Sequence, residues 1–274
     1  MKLSTLEGKT AIVTGGAQGL GRGIVDCLAR DGANIAVVDI QGDKATEVAE
    51  ELRTQGRKAL GVRADLTRND QVERAVKEVL DFFGRVDILV NNAGGYPDMA
   101  GFAVRGTRIA DRGEDEWDGC YSVNLKTTVL MCRAVIPHLV AQKSGKIVNI
   151  SSASATSPSG TLVCYATMKA GIVHYSRMLS RDLAADNINV NCVLPGIIYT
   201  PLWERGAAEL SRVVPGAENW TPREFFEKTL IPGVPLGREQ TAEDIGNAVA
   251  FFVSEEAKNI TGQSLNVDGG MSFV

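Results

Sequence analysis

Tyr165 and Lys169 stand four residues apart in "YATMK", within a stretch rich in small residues. Four residues turn an α-helix through about 400°, so the phenol and the ammonium would lie one turn apart on nearly the same face. A phenol beside a cation can carry a proton. Oxidising an alcohol needs a base for the hydroxyl proton, and reducing a ketone needs an acid for the carbonyl oxygen. A free phenol titrates near pH 10, roughly 4 kcal/mol too high for a base at neutral pH. An ammonium about 5 Å away supplies roughly 3 kcal/mol at an effective dielectric near 20. The bland alternative, a half-buried tyrosine and a solvated lysine, is not excluded by the pentapeptide alone. Thirteen residues upstream, Ser152 in "NISS" can hydrogen-bond a substrate oxygen as a neutral donor where charge develops. It can equally cap a helix among the serines of "SSASATSPS".

A second group of residues points to a bound dinucleotide. Residues 14–23, "TGGAQGLGRG", follow an apolar run and precede a helical pattern. Gly15, Gly19 and Gly21 let the backbone approach a pyrophosphate closely, with Gln18 and Leu20 between them at the start of the helix. The spacing is T-G-x-x-x-G-x-G, and a tight strand-to-helix turn explains the glycines as well. The next apolar run ends in Asp39, followed by Ile40, 24 residues after Gly15. An acid there can accept hydrogen bonds from the adenosine ribose hydroxyls. It would also repel a 2′-phosphate, and no Arg or Lys occurs at 15–21 or directly after Asp39 to receive one. NAD is therefore favoured over NADP. Arg22 would have to bend back past the pyrophosphate to compensate.

These side chains need strand and helix ends to hold them. Residues 10–15, 34–40, 59–62, 86–92, 145–152, 188–196 and 264–270 read as strands, and 19–31, 43–55, 69–83, 114–142, 163–185 and 241–253 as helices. The strands are short, rich in Val and Ile, and apolar on both faces, as in a parallel sheet covered on each side. The alternation predicts an α/β fold: a single-domain, doubly wound parallel sheet of about seven strands with helices on both faces. No linker or low-complexity segment divides residues 1–274. Two stretches break the rhythm, the glycine-rich 93–113 and the long 197–235, and both follow strand C-terminal ends, where ligands bind in such sheets.

Composition narrows the function classes. Hydrophobic residues are 44% and charged residues 23% of the chain, with a net charge of −4 and both signs interspersed, so no nucleic-acid footprint is present. The N-terminus lacks an apolar signal core, and no run approaches the roughly 18 apolar residues of a membrane span. A cytoplasmic protein is expected. Its five cysteines are widely spaced without a C-x-x-C pair, and neither His138 nor His174 sits at ligand spacing to one. Reduced buried thiols and no metal site are predicted.

Taken in order, "TGGAQGLG" at 14–21, "NNAG" at 91–94, Asn124 in "YSVNL", Ser152 in "NISS", "YATMK" at 165–169 and "PGIIYT" at 195–200 resemble the short-chain dehydrogenase/reductase family. The resemblance spans nearly the whole chain. It implies a Rossmann fold and a catalytic tetrad of Asn124, Ser152, Tyr165 and Lys169, with Tyr165 and Lys169 also touching the cofactor. It implies that Asp65, followed by Leu66, binds the adenine amino group, and that Asn91, Ala93 and Gly94 support the central strand and cofactor. Ile198 and Thr200, after Pro195 and Gly196, are expected to hold the nicotinamide carboxamide. Asn124 is expected to hold a water bridging Lys169 to solvent. Read plainly, Asn124 is a helix-kink residue.

The expected function is an NAD-dependent oxidoreductase interconverting a secondary alcohol and a ketone. The lid stretch 197–235 carries Tyr199, Leu202, Trp203, Trp220, Phe225 and Phe226, which predicts a hydrophobic cyclic or aryl substrate, with about half of those side chains packing the lid itself. Tyr96, Met99 and Phe102 are expected to form a second wall, and Trp117 to serve helix packing. Three rival readings are a 3-oxoacyl-[acyl-carrier-protein] reductase, a sugar epimerase or dehydratase, and a non-catalytic NAD-binding sensor. The epimerase reading lacks its T-G-x-x-G-x-x-G turn, and the sensor reading conflicts with the intact tetrad. Helices 114–142 and 163–185 are apolar over more than one face, which predicts a homo-oligomer. The family resemblance makes it a tetramer built on those helices.

Overall fold

The computed structural model describes residues 5–97, 108–157 and 162–273. Seven strands form one parallel sheet: β1 (Thr10–Thr14), β2 (Asn34–Asp39), β3 (Ala59–Arg63), β4 (Ile88–Asn91), β5 (Gly145–Ile150), β6 (Ile188–Pro195) and β7 (Ser264–Val267). Their order across the sheet is β3-β2-β1-β4-β5-β6-β7, so the winding reverses between β1 and β4. That reversal opens a crevice at the strand C-terminal ends. The expected doubly wound α/β fold is the one observed.

Alternation along the strands sorts the core into two layers. Ala11, Val13, Ile35 and Val37 face one layer, packed with Ile24 and Leu28 of α1 (Gly19–Arg30), Val48 and Leu52 of α2 (Gly42–Thr54), and Ile245 and Val249 of the C-terminal helix Ala242–Val253. Ile12, Ala36, Val38 and Leu89 face the other, with Val72 and Val79 of α3 (Asn69–Phe83) and Met131 and Val135 of the helix Thr127–Gln142. Every residue of β1 is buried, as a strand covered on both faces requires.

The helix predicted over 114–142 departs from regular geometry. It begins as α4 (Glu114–Cys120), widens into a π-helical turn at Tyr121–Lys126, and resumes as α5 (Thr127–Gln142). The cause is Asn124. Its Nδ2 donates to the Cys120 carbonyl one turn back at 2.9 Å, while the Asn124 carbonyl accepts from the hydroxyls of Thr127 at 2.9 Å and Thr128 at 3.1 Å. Side chains take over groups that the helical ladder would otherwise use, and the turn loosens.

The long 197–235 stretch carries helices of its own. After α6 (Val163–Asp182), α7 (Pro201–Ser211) starts at a capping Thr200 and α8 (Pro222–Phe225) at Thr221, whose capping box with Glu224 satisfies the N–H groups of both residues. A threonine followed by a proline at the first helical position is the start signal in both cases. The last helix, α9 (Ala242–Val253), is capped by Thr241 and Asp244 in the same way. No helix among the described residues is long and apolar enough to cross a membrane. All five cysteines are buried thiols outside any disulfide.

Candidate active site

A cleft of about 620 Å³ runs along the C-terminal ends of the central strands, from the 15–21 turn to α7. Its lining includes Gly15, Gln18, Gly19, Leu20, Gly21, Asp39, Ile40, Asp65, Leu66, Ala93, Gly94, Ser152, Tyr165, Lys169, Pro195, Gly196, Ile198 and Thr200. Sequence positions up to 185 apart meet there because each follows a strand end.

The glycine turn is held tightly. Gly15 and Gly19 adopt φ of 62° and 56°, a conformation that disfavours side chains. A Cβ on Gly21 would lie 2.0 Å from the Gly15 carbonyl oxygen. Asn92 closes the turn from the β4 side: its Nδ2 donates to the Thr14 and Gly15 carbonyls at 2.9 and 3.0 Å. Gln18 gives α1 no side-chain cap, so the first N–H groups of the helix are left to a ligand on the cleft side.

Asp39 is 6% exposed at the end of β2. Its Oδ2 accepts from the Ala17 N–H at 3.1 Å and its Oδ1 from Gln41 N–H at 3.0 Å, which fixes the carboxylate beside the turn. Arg22 does not bend back toward it. The guanidinium is held by Asp26 at 2.9 Å and Glu51 at 2.6 Å. One cation that the sequence reading passed over does reach the cleft edge: Lys44, on the first turn of α2, donates to Gln18 Oε1 at 3.2 Å. Asp65 accepts from the Thr67 N–H and hydroxyl, forming the turn before α3.

At the other end, Tyr165 and Lys169 lie on the first turns of α6. The Lys169 ammonium is 5.5 Å from the Tyr165 ring centre and donates to the Ile150 carbonyl at 3.0 Å. Burial pushes the ammonium down to about 8 and the phenol up to about 12, with a hydrogen bond to Ser152 partly opposing the phenol's rise. Burial thus acts on the phenol in the direction opposite to that expected of the neighbouring ammonium. Lys169 is buried and Tyr165 partly so, and desolvation of the charged form is the leading cause for each. Ser152 also caps the short 3-10 turn Ala153–Ala155, accepting from the Ser154 N–H at 3.2 Å.

Asn124 and Asn91 lie outside the cleft lining. Asn124 is fully buried and outside the lining; its amide clasps Gly95, donating to the carbonyl at 2.8 Å and accepting from the N–H at 3.0 Å. It is therefore also the kink residue of its helix. A Cβ on Gly94 would lie 2.7 Å from Asn124 Oδ1 and 3.3 Å from Lys169 Nζ, so the glycine is what lets the two approach. Asn91 faces away from the cleft, donating to Asn149 Oδ1 at 2.8 Å and Cys132 Sγ at 3.2 Å. Pleat alternation turns its neighbour Asn92, which sequence reasoning missed, toward the glycine turn instead.

The lid residues divide. Leu202 and Trp203 line the cleft, while Phe226 is fully buried beneath Tyr199 and Trp203, with ring centres 5.1 and 6.4 Å away. Phe225 and Trp220 pack with Ala207 and Ala217 inside the lid. Of the expected second wall, Tyr96 lines the cleft, and Met99 and Phe102 lie outside the described residues. Trp117 packs beside Cys120 and Cys164.

Comparison with known proteins agrees with this geometry. The family model for short chain dehydrogenase matches residues 9–210. The 3-oxoacyl-[acyl-carrier-protein] reductase FabG of Chlamydia muridarum is 36% identical over 98% of this chain and 99% of its own. The (2S)-[(R)-hydroxy(phenyl)methyl]succinyl-CoA dehydrogenase subunit BbsD of Thauera aromatica is 34% identical over 98% of each. The reductase FabG of Thermotoga maritima is 31% identical over 97% of this chain and 98% of its own. A family match over most of the chain, with relatives similar in sequence from end to end, means that the chain belongs to the short-chain dehydrogenase/reductase family of oxidoreductases.

Proposed function

We propose that this protein reduces the ketone of a 3-oxoacyl thioester to the secondary alcohol, using NADH. The observation that carries the reading is the phenol of Tyr165, which lines the cleft with Ser152 and has the Lys169 ammonium 5.5 Å from its ring centre. Such a group is protonated at neutral pH and suited to act as the acid in a reduction. The substrate class rests on the relatives. Their printed names describe a 3-oxoacyl group on a carrier protein and a phenyl-bearing secondary alcohol on CoA. This departs from the expected free cyclic or aryl substrate, which is kept as a second reading because Tyr96, Leu202 and Trp203 line the cleft.

The residues fit a dinucleotide. Asp39 would take the ribose hydroxyls, the uncapped start of α1 with Gly19 to Gly21 the pyrophosphate, Asp65 and Leu66 the adenine, and Gly196, Ile198 and Thr200 the nicotinamide end. When bound, the cofactor supplies the hydride. The fixed Asp39 carboxylate and the occupied Arg22 support NADH over NADPH. In the chemical step, Ser152 donates to the ketone oxygen and orients it, and Tyr165 delivers the proton from its phenol oxygen. Lys169 offers positive charge below the phenol and, at about 8, can exchange its own proton near neutral pH. Asn124 holds the Gly94–Gly95 backbone against Lys169, a positioning role beside the bound water expected to bridge Lys169 to solvent. The 197–235 stretch serves as the substrate lid of this single unit.

Tyr121 and Met178, both exposed and apolar on helices predicted to meet a partner, support a homo-oligomer, with a tetramer the expected state by light scattering. The unbridged cysteines accord with a cytoplasmic location. The direct test is a panel with NADH and with NADPH: acetoacetyl-CoA, a 3-oxoacyl carrier protein, and free cyclic and aryl ketones. Turnover of the thioesters with NADH is expected. Turnover of the free ketones alone would favour the second reading.

A further inference from the structure

Beside the cleft lies a charged cluster that the reaction itself does not require. Tyr96 is 6% exposed, and its ring centre is 6.5 Å from that of Tyr165 with the planes inclined by 55°. Its hydroxyl donates to Glu116 Oε1, and the same carboxylate receives Arg112 Nη1 at 3.2 and 3.4 Å. The side chains of Arg112 and Glu116 are each 1% exposed. A buried ion pair contributes little stability over apolar residues of the same volume. What it does supply is direction, because a charged acceptor on the phenol oxygen holds a ring in one orientation.

The orientation is set against the reacting atoms. Tyr165 and Met168 pack against the same cluster of Tyr96, Cys120 and Cys164, so this wall and the proton donor are one packed unit. Leu202 of the lid comes within 3.4 Å of where a Cβ on Gly95 would sit, beside Tyr96. Tyr96, Leu202 and Trp203 line the same cleft as Ser152 and Tyr165. A ketone oxygen held by Ser152 and Tyr165 would direct one substituent of the carbonyl carbon toward these side chains. Aromatic pairs favour ring centres roughly 4.5–7 Å apart in offset or edge-on arrangements, the range already occupied by Tyr96 and Tyr165.

We propose that Tyr96, oriented by the Glu116–Arg112 pair, is the specificity-determining wall of the cleft, and that it selects a planar aryl substituent on the carbon being reduced. The proposal deepens the reading of the site as a thioester ketone reductase and rests on it for the placing of the ketone.

The test compares 3-oxo-3-phenylpropanoyl-CoA with acetoacetyl-CoA, using NADH, in the wild-type protein and in Tyr96→Phe and Tyr96→Leu. The wild type is expected to favour the phenyl substrate. In Tyr96→Leu the phenyl-to-methyl ratio of kcat/KM should fall about tenfold, mostly through KM. In Tyr96→Phe, which keeps the ring and loses its anchor, the fall should be smaller but present. A ratio unchanged in both variants, or both substrates slowed equally, overturns the proposal and leaves Tyr96 a packing residue. Should neither thioester be turned over by the wild type, the functional reading fails, and calorimetric binding of 1-phenylethanol in the presence of NAD⁺ then decides the wall separately. Binding weakened by Tyr96→Leu upholds it, and equal binding overturns it.

Discussion

Lys169 and Tyr165 face each other across one helical turn, 5.5 Å from ammonium to ring centre, and burial moves their proton affinities in opposite directions. The phenol holds its proton more firmly than in water and the ammonium less firmly. The pair therefore enters a reduction with the acid already loaded, and the nearest cation is one that can itself exchange a proton near pH 8.

Replacing the acid should stop the chemistry without emptying the cleft. For Tyr165→Phe, kcat is expected to fall by about 10² to 10⁴, the usual contribution of a positioned proton donor. NADH binding, followed by the fluorescence of the bound cofactor, should stay within a few-fold of wild type. Retained turnover would remove Tyr165 from the mechanism.

The buried lysine also makes stability depend on pH. Unfolded Lys169 titrates near 10.5 and the folded one near 8, so between those values the unfolded chain binds more protons and this group's contribution rises with pH. Below pH 8 the buried charge costs roughly 3 kcal/mol relative to high pH. Buried thiols act in the opposite sense: Cys132 is pushed from 9.0 up to about 12, so its contribution is lost as pH rises through that range. The difference between variant and wild type isolates the lysine. Lys169→Met should raise Tm most at pH 7 and progressively less toward pH 10. A pH-independent difference would contradict this.

Asp39 should decide between the two nicotinamide cofactors. Like charges a few ångströms apart at an effective dielectric near 20 cost about 3–4 kcal/mol, so NADH should be preferred by at least about 100-fold in kcat/KM. Asp39→Ala is expected to lower that preference at least about tenfold, because the repulsion and the ribose contacts go together. Lys44, at the cleft edge on Gln18, and Arg63, in register with Asp39 on β3, are the cations at hand for a 2′-phosphate once the carboxylate is gone. An unchanged preference would mean that Asp39 does not face the ribose.

Asn124→Ala should weaken the fold and the site together. The Gly95 N–H and carbonyl would lose their partners, at a cost of about 1–3 kcal/mol each when they stay buried. Thermal unfolding measures the first effect. The second is read as a fall in kcat that exceeds any loss of NADH affinity, because Gly94 and Gly95 pass between Asn124 and Lys169. Normal kcat in a destabilised variant would reduce Asn124 to a kink residue.

Much of the site could be read from spacing, since its parts are local. Gly15 to Gly21 share one turn, Asp39 ends the next strand, and Tyr165 and Lys169 share one helix face. The pair Asn91 and Asn92 shows the limit. Both stand in "NNAG", yet the pleat sends one to the sheet interior and the other to the glycine turn, and only the strand's register determines which. The charge states of Tyr165 and Lys169 show another. Spacing sets the two groups on one helix face, but the burial that moves both comes from neighbours scattered along the chain.

By itself the sequence determined the order of strands and helices, the strand ends where ligands bind, and the residue types gathered there, because these depend on periodicities of two and of about 3.6 residues and on short turns. Only the tertiary structure decided that Tyr96 meets Glu116 and Arg112 beside Tyr165, that Phe225 and Phe226 sink into the lid while Leu202 and Trp203 face the cleft, and that Arg22 turns to Glu51 instead of to Asp39. Those are contacts between elements. Their selection follows from how the packed surfaces fit, which no local pattern encodes.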